Sequence, residues 1–172
     1  ASDVYKRQIE KCVSIGIDIV EISSISRSID DDEMCKLIKY ISSKGIKVIN
    51  EIGVAYAHSK VDDKSIFIQR LLNQSKKFLN AGTWKILLES EGLTENISKE
   101  NYRWNIIDNI ISPLELSNFM VEADDQDVLS KYIEIYGPNI NMMVDYTRLL
   151  KMEDARLGYG PSQFLWGKVV KY

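Results

Sequence analysis

Five acidic residues, Glu21, Glu51, Glu89, Glu122 and Asp145, sit at or near the carboxyl ends of short apolar runs rich in β-branched residues. Successive members are 30, 38, 33 and 23 residues apart, which is one strand plus one helix each time. In a parallel β/α barrel the carboxyl ends of the strands ring a single mouth, where barrel active sites lie. Carboxylates gathered at one mouth repel, and each resists ionising. A divalent cation is the simplest remedy, and Mg²⁺ takes carboxylate oxygens while keeping several of its waters. The spacing therefore predicts a shared site without naming a reaction. A plainer reading stands beside it: one acid at a strand end is commonly solvated, or caps the helix that follows.

A second group follows the last of these units. The run Arg156-Leu157-Gly158-Tyr159-Gly160 sets a guanidinium beside two glycines, and barrels frequently bind phosphate around the loops after their last strands. An arginine fork with open backbone amides suits that anion. Arg156, Gly158 and Gly160 are thus the candidate phosphate-binding residues, although arginine followed by glycine also reads as ordinary helix capping. His58, the single histidine, falls in the loop after the second apolar run. There it is either solvent-facing or an acid–base group.

These residues need elements to position them. Strands are expected at 17–23, 47–53, 84–89, 117–123 and 140–145, and helices near 32–43, 64–80, 102–111, 128–136 and 147–157. The helices are read from apolar recurrence, for example Met34, Leu37, Ile38 and Ile41. The run Asp30-Asp31-Asp32-Glu33 marks a helix start, where the dipole favours acids. Apolar strands alternating with helices imply βαβ units and a parallel sheet covered on both faces. No glycine-rich nucleotide loop follows any strand. A (β/α) barrel, or part of one, is the leading architecture, with a flavodoxin-like open sheet as runner-up.

Composition narrows the classes. Of 172 residues, 45% are apolar and 27% charged, and the formal net charge is −3. That charge gives no electrostatic case for nucleic acid, and no apolar run approaches the ~20 residues of a membrane helix. Cys12 and Cys35 lack paired spacing and read as reduced structural thiols of a cytoplasmic protein. Residues 1–8 (ASDVYKRQ) carry no core pattern. They read as an adapter-derived, non-native segment, leaving 9–172 as a partial barrel domain whose start is missing. Trp84, Trp104 and Trp166 read as packing anchors, and Met142-Met143 as strand core.

Several ordered stretches resemble the phosphosulfolactate synthase family. They are GIDIVEIS (16–23), GIKVINEIG (45–53), AGTWKILLE (81–89), GPNIN (137–141) and EDARLG (153–158). ESEGLTEN (89–96), VDYT (144–147) and FLWGKVV near the end look closest to a divergent bacterial branch related to plant heat-stress-associated proteins. The resemblance implies a (β/α)₈ TIM barrel of which these are about the last five βα units. It also implies a lyase of sulfonate metabolism, in coenzyme M biosynthesis, that adds sulfite to phosphoenolpyruvate with Mg²⁺. Carried over, Glu51, Glu89 and Glu122 take catalytic roles, Glu21, Glu51 and Glu89 metal roles, and Arg156 a phosphate role. The implied partners are a phosphorylated acid and sulfite, and the open barrel edges of a partial domain suggest self-association.

The departures matter as much. The family's Glu-Val-Gly-Lys-Lys run stands here as Glu51-Ile52-Gly53-Val54-Ala55, so both lysines are replaced. Lys60, in the following loop, is a candidate substitute. Another family run becomes Val121-Glu122-Ala123-Asp124-Asp125-Gln126, removing a further cation. Fewer cations at a site for two anions leave a non-catalytic stress-associated or interaction protein as the alternative. An unrelated barrel isomerase or aldolase is a third class, but no Schiff-base lysine signature is present.

Overall fold

The computed structural model describes residues 2–23, 29–53 and 64–159; His58, Lys60, Gly160 and Trp166 lie outside the described residues. A helix, α1 (Ser2–Ser14), precedes five strands: β1 (Ile19–Ile22), β2 (Lys47–Ile52), β3 (Lys85–Leu88), β4 (Phe119–Glu122) and β5 (Asn141–Met143). Between and after them run α2 (Asp31–Ser43), α3 (Lys64–Ala81), α4 (Trp104–Ile111), α5 (Gln126–Tyr136) and α6 (Leu149–Arg156). Each expected strand and helix is present, with ends shifted by one or two residues where caps and short 3₁₀ turns take over. Helix α1 runs back through residues 2–8; the side chains of residues 4–8 are exposed, and Ile9 is the first to be buried.

All four strand pairings are parallel, in the order β1-β2-β3-β4-β5. A flavodoxin-like sheet would reverse its order after the second strand. Sequential order with right-handed crossovers instead places successive helices on one face, as in a barrel wall. Those helices bury apolar stripes against that face: Met34, Ile38 and Ile41 from α2, Phe67, Leu71 and Phe78 from α3, Ile106, Ile107, Ile110 and Ile111 from α4, and Val128, Leu129, Tyr132 and Ile133 from α5. The sheet meets them with Val48, Ile52, Ile86, Leu88, Phe119 and Val121. Full burial of each such side chain contributes about 1.5–3 kcal/mol. Asp30 and Asp125 cap α2 and α5 by accepting from Glu33 N and Val128 N, both at 2.8 Å.

Side chains alternate across a strand, so the residues between these core positions project from the opposite, inward face. The register stacks that face in levels. Glu21 pairs with Ile49, which pairs with Lys85. The next level up is Glu51, Leu87, Met120 and Asn141. Above it, Glu122 pairs with Met143, and continuing the β3–β4 register by one residue sets Glu89 beside Glu122.

Candidate functional site

Those levels decide which acids meet. Glu89 and Glu122 are neighbours at the top of two adjacent interior strands, and each is half-buried. Ser90 joins them: its backbone N–H donates to Glu89 Oε1 at 3.1 Å and to Glu122 Oε2 at 3.3 Å. Its hydroxyl lies 3.0 Å from Glu122 Oε2 and 2.6 Å from Glu95 Oε2. Oxygens of Glu89, Glu95 and Glu122 all fall within 4.8 Å of one another. Glu51, one level below, lies close enough to the Glu89 carboxyl to act on it.

Gly53 makes room for this packing. Its φ is +98°, and a Cβ there would stand 3.4 Å from Glu89 Cβ, so a side chain would both strain the backbone and press on the site.

The electrostatics follow from the crowding. Burial, then Glu51, pushes the Glu89 carboxyl above the ordinary carboxylate range. Burial, then Glu89, does the same to Glu122. Glu21 is raised first by burial and then by the charges of Glu122 and Glu89. Neighbouring carboxylates in a partly desolvated site favour either a shared proton or a bound cation.

The strand-end acids therefore separate. Glu89 and Glu122 converge, and Glu51 touches Glu89. Glu21, expected to hold metal, lies two levels below Glu89 in the register and outside the convergent set, its side chain largely in solvent although the charges of Glu122 and Glu89 reach it. Asp145, on the strand-end pattern too, caps the turn after β5: it accepts from the Thr147 hydroxyl at 2.5 Å and from Thr147 N at 2.8 Å, which together hold its carboxyl low.

The phosphate expectation for Arg156 and Gly158 does not match their placement. Helix α6 runs antiparallel to the strands, so its C-terminus returns to the end of the sheet opposite the acids. There Arg156 donates to the Ile140 carbonyl at 2.7 Å, just before β5 begins. Gly158, at φ +81°, ends α6. Its N–H donates to Ala155 O at 3.1 Å and that of Tyr159 to Asp154 O at 2.7 Å. This is a helix-capping pattern that requires glycine in the left-handed region. Capping describes Gly158, while Arg156 ties α6 to the start of β5.

Two residues escaped the sequence reading. Glu95 lies outside every strand, in the 90–95 turn, where strand-end counting does not look; the density of acids in ESEGLTEN was its signal. Arg148 stands in the 3₁₀ turn Tyr146–Arg148 directly after β5, on the mouth side, 4.0 Å from Asp124. Cys12 and Cys35 are free and partly buried. No helix among the described residues is long and apolar enough to cross a membrane.

The model for (2R)-phospho-3-sulfolactate synthase (ComA) matches residues 1–160. The chain belongs to that family. It is 24% identical over 151 residues to the phosphosulfolactate synthase of Methanothermobacter thermautotrophicus, covering 82% of this chain and 55% of that protein. It is 21% identical over 169 residues to Protein HEAT-STRESS-ASSOCIATED 32 of Arabidopsis thaliana, covering 88% of this chain and 58% of that protein. The chain thus spans a little over half the length of these relatives. Two crystal structures of D-psicose 3-epimerase, one with D-fructose and one from Clostridium cellulolyticum H10 with D-tagatose, superpose with TM-scores of 0.58 and 0.60. They cover 87% and 92% of this chain and 61% of each epimerase chain, at 15% and 16% identity. That likeness supports the barrel fold alone.

Proposed function

We propose that this family member carries the carboxylate centre of a phosphosulfolactate synthase-like lyase. The reaction is Mg²⁺-dependent addition of sulfite, or a related nucleophile, to phosphoenolpyruvate or a similar phosphorylated three-carbon acid. The observation behind the reading is the convergence of Glu89, Glu95 and Glu122 at the carboxyl ends of β3 and β4. Three hard oxygen donors, partly buried, suit Mg²⁺, which keeps several waters of its own. Bound there, Mg²⁺ would supply positive charge beside the substrate carboxylate, where negative charge accumulates.

In the addition, the sulfur lone pair forms a bond to the methylene carbon. The carbon–carbon π pair moves toward the carboxylate, and a proton then closes the adjoining carbon. Glu89, Glu95 and Glu122 hold the cation in this reading. Glu51, off the convergent set but next to Glu89, would be the group that delivers the proton. Arg148, in the turn that follows β5, would be the cation that meets the phosphate in this reading. Cytoplasmic residence and a place in sulfonate metabolism belong to the same proposal.

A second reading has its own observation. The replacement of two family lysines by Val54 and Ala55, with the likeness to the plant heat-stress-associated protein, favours a barrel kept for a non-catalytic stress or interaction role. Protein made from the whole open reading frame containing this sequence, incubated with phosphoenolpyruvate, sulfite and Mg²⁺ and followed by ³¹P NMR, separates the two. A phosphosulfolactate signal lost in Glu122→Gln supports the lyase. No product from wild type would reject the named reaction.

A further inference from the structure

The geometry points to Ser90 as the positioning residue that assembles this centre, by tying a loop-borne carboxylate to a strand-borne one; the inference rests on the reading of Glu89, Glu95 and Glu122 as a cation site. Glu89 and Glu122 are brought together by the β3–β4 register, whereas nothing in the sheet brings Glu95. It comes from the turn that follows β3, and that turn is organised from Ser90 outward. The Ser90 carbonyl accepts from Leu93 N and Thr94 N at 2.9 Å and from Glu95 N at 3.1 Å. Gly92 N donates to Glu95 O at 3.0 Å, closing the loop on itself. The Arg103 guanidinium binds Gly92 O, Arg103 N donates to Leu93 O at 2.9 Å, and Leu93 is buried at 1% exposure. The turn is therefore anchored to α4 and to the core, while its Glu95 carboxylate is held by the Ser90 hydroxyl.

Ser90 itself is 1% exposed, and its hydroxyl touches both Glu95 and Glu122. Without that contact the backbone turn would remain, but the flexible Glu95 side chain would choose among several rotamers, most of them pointing away from Glu122. An arrangement that must be selected at each binding event lowers apparent affinity by the fraction of time it is populated. The consequence is specific: Ser90 affects how well the carboxylates act together more than whether the chain folds.

The test is Mn²⁺ binding, read by electron paramagnetic resonance of free Mn²⁺, on the chain and on its Ser90→Ala, Ser90→Thr and Ser75→Ala variants. Ser75 is also fully buried, but its hydroxyl bonds only the Leu71 carbonyl within α3, so it reports the effect of losing a buried serine elsewhere. Ser90→Ala is expected to weaken Mn²⁺ binding about tenfold, the lower end of outer-sphere effects. Its cation-free melting temperature should stay within roughly 4 °C of wild type. Ser90→Thr, which keeps the hydroxyl, should recover most of the affinity, and Ser75→Ala should bind as wild type does. Wild-type binding with an unchanged Ser90→Ala would overturn the role of Ser90 and leave the cation site standing. No Mn²⁺ binding by folded wild type would overturn the cation site itself, and Ser90's role with it.

Discussion

The centre of the sheet and its two edges carry the same residue type at the same point of the repeat, with different outcomes. Glu89 and Glu122 end central strands, with a neighbour on each side and helices packed behind. Burial raises both carboxyls, helped by Glu51 at Glu89 and by Glu89 at Glu122. Glu21 ends the edge strand β1 and is exposed, and Asp145 follows the edge strand β5 and is spent on a cap. A strand-end acid becomes part of a site when the register puts another acid level with it and the sheet shields both from water. Position within the strand–helix unit is necessary, but the neighbours decide.

That contrast can be broken in several ways. The largest expected effect is structural. Leu88→Ala, at a fully buried central position, should lower unfolding free energy by about 2–5 kcal/mol. Met143→Ala on the half-exposed edge strand should cost about 1 kcal/mol, both read by urea denaturation. Equal losses would mean the edge is as well packed as the centre.

Next comes cation binding by isothermal titration. Glu122→Gln should lose on the order of 100-fold in Mg²⁺ affinity, the upper end of outer-sphere losses or beyond. Glu21→Gln, at the edge, should change it less than about threefold, within the range of a screened surface charge. Comparable losses from both would put Glu21 back in the site.

The pH dependence tests the same crowding. A carboxyl whose folded pKa lies above its unfolded value adds stability below the ordinary 4.5, and that stability is lost as pH rises through the raised folded value. Asp32, Glu100 and Asp145, held low, act in the opposite sense, so the difference between variants is the informative quantity. Without divalent cation, the melting temperature of wild type should fall relative to Glu122→Gln as pH climbs above 4.5, and Mg²⁺ should reverse the difference. Parallel curves would mean the central acids are not coupled. The smallest effect concerns the cap: Asp145→Ala should lower the melting temperature only slightly and leave Mg²⁺ affinity unchanged.

Much of the fold was legible because its signals are local. The β-branched runs, the helical stripes, and Asp30 and Asp125 ahead of α2 and α5 each act within a few residues. Three of the residues around the site, Glu51, Glu89 and Glu122, were legible for a related reason: a repeating unit places equivalent positions at one end of the sheet. The argument is blind to level and direction. Glu21 lies at the proper end of its strand but two levels below Glu89 in the register. Arg156 follows the last strand in sequence, yet the antiparallel return of α6 carries it to the far end.

By itself, then, the sequence determined the order of elements, the helix caps and the face on which acids alternate with core residues, since these depend on dihedral preferences and short periodicities. Only the tertiary structure decided which acids meet. Inter-strand register, the stagger between β1 and β3, and the turn that brings Glu95 to Ser90 arise from contacts between residues distant in the chain, which no local pattern encodes.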